Sequence, residues 1–369
     1  MKTGIIGLPL VGKTSLFKIL TGAVLSERAL ANPREAHVGV AKVPDDRLDK
    51  LAAMFDPKKL VHVSVEYVDV AAMPTQRATE GGGGAGLNEA IVSNIRNVDA
   101  LVQVLRAFDD PSIPHVGEID PVRDARNAEF DLIVTDLGQV EKRLERLEKD
   151  LKKMRSPDLE RENDVLLRAK QWLESERPLR EMEMTADEKK RIRGFMFLSE
   201  KPMLYVVNIS ESAELGKDLE QAVARYGLTE LASRPNSGAT AICGKVEAEL
   251  AEMGEEESAD FLSSYGLKES GLVRLIRKTY ELLGLISFFT VGEDECRAWT
   301  VERGSKATTA AGAIHSDLEK HFIRAEVIHW DQLLEAGSEA NAKAKGILRL
   351  EGKEYIVKDG DVMHVRHSG

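Results

Sequence analysis

Only two cysteines occur in the 369 residues, Cys243 and Cys296, far apart along the chain. Two lone thiols build no disulfide framework and lack the paired spacing of a zinc site. They predict partly buried side chains in a reducing compartment. Long apolar runs are also missing. No stretch approaches the ~20 residues that a membrane span requires. The opening Met1-Lys2-Thr3-Gly4-Ile5-Ile6 is too short an apolar stretch for a secretory signal and is soon followed by Lys13. Net positive charge is absent as well. The formal net charge is −11, so the surface as a whole is no general nucleic-acid binder, and any such contact must come from a local basic patch. No low-complexity tract or internal repeat stands out. Together these absences predict a cytoplasmic protein with no membrane partner; they do not set an oligomeric state.

What is present is ordinary apolar material, 43% of the chain, enough for two or three domains with cores of their own. The first ~130 residues alternate strand-like and helix-like segments. Ile5-Ile6 reads as a buried strand and Thr14 to Leu20 as the start of a helix. Val61, Val63, Val65 and Tyr67 alternate, followed by Val68-Asp69-Val70. Leu101 to Leu105 is a further apolar run of strand length. Strands separated by helices predict a parallel sheet covered on both faces.

A different texture follows. Leu137, Val140, Leu144, Leu147, Leu151 and Met154 are spaced as a heptad seam on one long helix, which Pro157 ends. Val165, Ala169 and Trp172 fit a returning helix. Residues 130–198 therefore predict an antiparallel helical hairpin inserted into the sheet domain. The stretch Glu141 to Arg155 is rich in Lys and Arg, and reads either as a solvated face or as a basic arm for RNA phosphates. The α/β pattern resumes with Met203 to Val207, ending at Asn208, and with Ala239 to Ile242. Ser270 can cap a helix carrying Leu272, Leu275, Ile276 and Leu283. Beyond Gly284 come short strands, turns and one helix, with Ser316 and Glu319 spaced as a capping box. The expected division is a domain over 1–283, including the hairpin, and a small α+β domain over 284–369.

Gly7-Leu8-Pro9-Leu10-Val11-Gly12-Lys13-Thr14 matches G-x-x-x-x-G-K-[ST] between a strand and a helix. In that pattern the glycines let the chain wrap phosphates, while successive N–H groups and the helix N-terminus point at anionic oxygens. The site expected for a nucleotide comprises Gly7, Leu10, Val11, Gly12, Lys13, Thr14 and Ser15. Lys13 reaches the outer phosphates and acts in catalysis, and Thr14 ligates magnesium. Asp69, at the end of the alternating run, is the expected second magnesium residue.

Asn208-Ile209-Ser210-Glu211 follows an apolar strand and resembles the base-reading motif of the YchF/Obg-like ATPases. Most GTPases of this class carry Asn-Lys-x-Asp there, and the Asp accepts two hydrogen bonds from guanine. Glu211 is one methylene longer. The resemblance extends over nearly the whole chain: Val43-Pro44-Asp45-Asp46-Arg47-Leu48, Gly86-Leu87-Asn88, Asn94 to Ala100, and Lys142-Arg143-Leu144-Glu145-Arg146-Leu147. It is closest in Arg297-Ala298-Trp299-Thr300, Ala310-Ala311-Gly312, Ile314-His315-Ser316-Asp317, Phe322 to Glu326, and Lys358 to Met363, which are similar to the family's TGS domain. It implies an α/β fold: a G-type P-loop NTPase domain with an inserted helical hairpin, plus a C-terminal β-grasp-like TGS domain. It also implies Asn208, Ile209 and Glu211 at the base, ATP accepted alongside or above GTP, magnesium as cofactor, and association with ribosomes or RNA through the arm and the TGS domain.

Departures from the family pattern fall in the catalytic apparatus. Leu10 replaces an Asn that can help ligate potassium, so potassium stimulation is not expected. The second switch reads Asp69-Val70-Ala71-Ala72-Met73 where the family has D-x-A-G followed by Leu. Ala72 narrows backbone freedom, and Met73 offers no hydrogen bond to an attacking water. His115 matches a family histidine that is a candidate catalytic substitute. No Thr lies between Gly22 and Pro74 to cap magnesium; Ala31 to Ala36 occupies that place, with Ser26 the nearest hydroxyl. The run Gly81 to Gly86 leaves the next loop free. Cys243-Gly244-Lys245 resembles the base-backing loop. The expectation is a nucleoside-triphosphate hydrolase with slow turnover that regulates translation. Its alternatives are a non-hydrolysing adaptor and an ordinary GTPase.

Overall fold

The computed structural model describes residues 1–23, 37–70, 73, 87, 89–115, 117–154 and 156–368. Ser26, the stretch 31–36, Ala71, Ala72 and the glycine run 81–86 lie outside these residues. Strands in chain order are β1 (Lys2–Ile6), β2 (His37–Lys42), β3 (Leu60–Val61), β4 (Ser64–Asp69), β5 (Ala100–Ala107), β6 (Met203–Ile209), β7 (Ser237–Ile242), β8 (Leu285–Thr290), β9 (Cys296–Glu302), β10 (Phe322–His329), β11 (Arg349–Glu351) and β12 (Asp361–His367). The chain divides into two compact units, Met1–Ala41 with Glu66–Leu282, and Lys42–Val65 with Leu283–Gly369.

The first unit is built on a six-stranded sheet in the order β2-β4-β1-β5-β6-β7. The pairings β4-β1, β1-β5, β5-β6 and β6-β7 are parallel. β5 and β6 are buried along almost their whole length, as expected of central strands covered on both faces. β1 lies between β4 and β5, with Ile5 opposite both Asp69 and Val102. That register sets the turn after β1 beside the carboxyl end of β4, at the edge where open α/β sheets bind ligands.

The helical insertion starts earlier than its heptad seam indicates. Its first helix runs Pro121–Lys153, opened by Pro121 in the first turn and by the Asp120 side chain, which accepts from the Arg123 N–H. The second helix is Pro157–Glu174. Between them Val140, Leu147, Val165, Leu166, Ala169 and Leu173 form a buried core, with Leu137, Leu144 and Trp172 packed at its margin. Met154 falls past the helix end and is 66% exposed, so it is no part of the seam. Arg143 bridges the pair through two bonds to Glu162, at 2.7 and 2.9 Å. At the root, buried Asp136 accepts the N–H groups of Leu198 and Ser199.

The second unit carries a six-stranded sheet in the order β11-β10-β12-β8-β9-β3. Residues 42–65, expected in the first domain, cluster here instead. β3 pairs in parallel with β9, and the helix Asp46–Phe55 buries Leu48 and Leu51 completely. Asp45 caps that helix, and Arg47 bonds both Asp45 and Asp359, so Val-Pro-Asp-Asp-Arg-Leu is a tie within this unit. The run from Val61 to Tyr67 is accordingly two strands of two sheets, not one. The helix Ser316–Lys320 is capped by the ring of His315, which accepts from the Asp317 N–H. Ser316 is its first residue and does not act as a capping box.

Candidate nucleotide site

The turn after β1 takes its shape from backbone conformations that few residues adopt. Gly7 has φ 147° and Gly12 φ 99°. A Cβ on Gly7 would sit 2.6 Å from the Val104 carbonyl oxygen, and one on Gly12 would sit 2.8 Å from Asn208 Nδ2. Both positions therefore demand glycine on conformational and steric grounds. Leu10 also lies in the left-handed region, at φ 61°, and is 55% exposed. Val11 is buried, whereas Ser15 is exposed on the helix Lys13–Thr21 that begins at Gly12.

Lys13, Thr14 and Asp69 come together at the sheet edge. Lys13 is buried, and its Nζ donates to the Leu8 carbonyl at 2.7 Å. The Thr14 hydroxyl donates to Asp69 Oδ2 at 2.9 Å. Burial pushes the Lys13 ammonium down to about 8, against the pull of nearby Asp69. Burial likewise raises the Asp69 carboxyl above its usual range, partly offset by the Thr14 bond and Lys13. Thr14 and Asp69 present a hydroxyl and a carboxylate, the hard oxygen donors that suit magnesium. A buried carboxylate that, among the described residues, is hydrogen-bonded by the Thr14 side chain and faces nearby cations fits a site for a divalent ion. Among the described residues no cluster of three or more His, Cys, Asp or Glu forms a separate metal cage. Met73 is fully buried, and its N–H donates to the Gly7 carbonyl at 3.0 Å.

The base-side motif is distributed differently from expectation. The Asn208 side chain makes two bonds within the protein. Its Nδ2 donates to the Val11 carbonyl at 3.1 Å, and its Oδ1 accepts the Gly244 N–H at 2.9 Å. It thereby ties the turn after β1 to the Cys243-Gly244-Lys245 loop. The Ile209 side chain packs into the apolar core of the unit. Glu211 is engaged at both oxygens, by Lys245 Nζ and the Tyr265 hydroxyl, each at 2.6 Å. Those bonds hold its carboxyl below the ordinary range.

His115 is half-buried, and its Nδ1 lies 3.1 Å from the Gly117 carbonyl oxygen. Among the described residues no hydrogen bond joins it to Lys13, Thr14 or Asp69. Its loop is shaped by a residue that the sequence motifs do not include. Arg106, at 1% exposure, aims its guanidinium at the carbonyls of Phe108, Asp110, Ile113 and Pro114. A signal exists in the sequence, since Arg106 is the one charge in the otherwise apolar β5 segment Ala-Leu-Val-Gln-Val-Leu-Arg-Ala. Asp109 N–H in turn donates to the Ser210 hydroxyl at 3.3 Å, joining this loop to the base motif. Tyr265 carries no sequence signal, because nothing in its own surroundings marks it as Glu211's partner.

Comparison with known proteins gives the family of the chain. The family model YchF-GTPase_C, described as a protein of unknown function (DUF933), matches residues 285–368. "Ribosome-binding ATPase YchF" of Bacillus subtilis (strain 168) is 42% identical over 369 residues, covering 99% of both chains. The chain belongs to the YchF family. The protein of the same name from Haemophilus ducreyi is 40% identical, covering 99% of this chain and 98% of that protein. The solved structure of the Schizosaccharomyces pombe YchF GTPase superposes with a TM-score of 0.83 at 33% identity, covering 99% of this chain and 97% of that one. YchF membership and this superposition fit the α/β fold expected from the strand order. No helix among the described residues is long and apolar enough to cross a membrane.

Proposed function

We propose that this YchF-family chain binds a magnesium–purine nucleoside triphosphate, with ATP accepted alongside or above GTP, and hydrolyses it slowly. The observation that carries this is the convergence of Lys13, Thr14 and Asp69 beside a turn held open by Gly7 and Gly12. Backbone N–H groups of the turn and the start of its helix cradle the phosphates. Lys13 neutralises the outer phosphate charge. Thr14 and Asp69 would hold magnesium, which would supply positive charge against the triphosphate. Glu211 faces the base, and Asn208 keeps the phosphate turn and the base loop in register.

Slow turnover is supported by what surrounds the reacting end. Met73 is apolar and buried, so it orients no attacking water, and His115 is bonded elsewhere. From the sequence, the lack of a magnesium-capping Thr and the Ala in place of the family's switch Gly would each reduce turnover about 10–100-fold. Linear phosphate release that Lys13→Ala abolishes tests the enzyme. Tight binding without release would instead favour a nucleotide-dependent adaptor. A marked preference for GTP would make it an ordinary GTPase.

The name its bacterial relatives carry, ribosome-binding ATPase, points to the same role in the cytoplasm for this chain. The arm offers a fitting surface. Lys142, Arg146, Lys149 and Lys153 are all exposed and fall at helical spacing on one stripe. Their neighbours Arg143, Lys152 and Lys170 are paired with acids, while these four form no salt bridge among the described residues. We read the stripe as a contact for ribosomal RNA phosphates and residues 284–369 as a TGS domain that shares in the association. Co-sedimentation of the full chain with ribosomes across a salt series tests this.

A further inference from the structure

The base end of the site holds a cluster of which the nucleotide reading uses only Glu211. Lys245 Nζ lies 2.6 Å from Glu211 Oε2, and the Tyr265 hydroxyl lies 2.6 Å from Oε1. Tyr265 is fixed independently of that contact. Its carbonyl accepts the Gly216 N–H at 3.1 Å, and a Cβ at Gly216 would come within 2.8 Å of the same oxygen. Its ring packs tilted against Phe261, with centroids 5.1 Å apart. Lys245 follows Gly244, whose N–H is bonded to Asn208, which is itself bonded to Val11 of the phosphate turn. The three side chains therefore meet on elements already tied to the site.

We propose that Lys245 and Tyr265 set the purine preference of this site by occupying the Glu211 carboxylate. The inference rests on the reading of the site as one for purine triphosphates. Guanine presents two adjacent donors, N1–H and N2–H, which a free carboxylate accepts as a fork. A carboxylate whose charge is covered by an ammonium and whose second oxygen is taken by a phenol offers no such fork. Guanine would bury donors without partners, a penalty that sites built on hydrogen bonding use to reject the wrong ligand. Adenine presents an acceptor at N1 and a donor at N6. Covering the carboxylate's charge removes its repulsion of the N1 lone pair. Neither Lys245 nor Tyr265 belongs to the Asn-x-x-Glu string, so the preference is a property of the folded site.

The test is competition of ATP and GTP against a fluorescent ADP on the full chain with magnesium, for wild type, Tyr265→Phe, Lys245→Met and the double variant. The readout is the ratio of the GTP and ATP dissociation constants. Tripolyphosphate affinity, measured on each variant, reports whether the phosphate turn is intact. Wild type is expected to favour ATP. The ratio should fall about 10-fold in the double variant, through tighter GTP binding. Tyr265→Phe keeps the ring on Phe261 and should lower the ratio about 3-fold by itself. Ratios unchanged within 2-fold in variants that still bind tripolyphosphate would overturn the inference while leaving the ATP reading in place. A wild type that prefers GTP would also overturn it, and failure of wild type to bind either triphosphate would remove the reading beneath it.

Discussion

At residue scale the sharpest feature of the site is Leu10. It combines a left-handed backbone, φ 61°, with a largely exposed side chain. An L-residue with a bulky side chain there costs about 1–2 kcal/mol, which Asn tolerates better through its short polar side chain. The family's Asn at this position thus suits the turn's conformation as well as any ion. Leu10→Asn should stabilise the protein by about 1 kcal/mol, read as a rise in urea midpoint without change in m-value. An unchanged or lower midpoint would contradict the strain. The grouping of the proposed phosphate residues is legible in the sequence because its elements are local: Gly7, Gly12, Lys13 and Thr14 lie within one turn, and Asp69 ends a recognisable strand. The bonds that Asn208 makes within the protein are not legible. Its partners Val11 and Gly244 are 197 and 36 residues away, and no pattern within a tetrapeptide reports bonds at that distance. The tetrapeptide likewise does not report that the Ile209 side chain packs in the core, which follows from the alternation of faces along its strand.

At the scale of elements, the arm joins a legible seam to an illegible root. The heptad spacing indicates Val140 and Leu147, which are fully buried. It gives no view of the segment before 130, where capping by Asp120 and Pro121 starts the helix. Asp136 at the root shows what such tertiary contacts do. It is fully buried, accepts two backbone N–H groups, and burial pushes its carboxyl up to about 6. The folded value exceeds the ordinary one of 3.8. This residue therefore binds its proton more tightly in the folded chain, and its contribution to stability declines as pH rises from about 4 to about 6. Asp136→Asn has no such titration. Its stability deficit relative to wild type should shrink over that interval and stay level above it, measured by urea unfolding at stepped pH. Farther along the arm, Arg146→Glu with Lys149→Glu should weaken ribosome association and flatten its salt dependence by about one logarithmic unit of slope for each phosphate no longer neutralised. Nucleotide affinity should be unaffected. Association that keeps its salt slope in this variant would place the ribosome-binding surface elsewhere.

On the scale of the whole molecule, the decisive fact is that the second unit is discontinuous in sequence. Reading composition along the chain draws one boundary near 284, because the texture changes there and nowhere near 42. Packing draws the line otherwise, since residues 42–65 belong with 283–369. Short helices and single strands carry no label of which sheet they will join, and β3 pairs with β9 although Leu60 and Cys296 stand far apart in the chain. A chain cut after Leu282 would keep the phosphate turn, Asp69 and the Glu211 cluster, yet it would leave the helix Asp46–Phe55 without the strands it packs in. Leu48 and Leu51, both at 0% exposure, would face water, forfeiting roughly 1.5–3 kcal/mol each. Arg47 would be without its bonds to Asp359. The truncated chain should therefore aggregate or bind a hydrophobic dye strongly. A version in which 42–65 is replaced by a short Gly/Ser linker should be soluble and still bind tripolyphosphate with magnesium. If the simple truncation proved as soluble and dye-silent as the full chain, residues 42–65 would have a partner other than the C-terminal sheet, and the two-unit division would have to be redrawn.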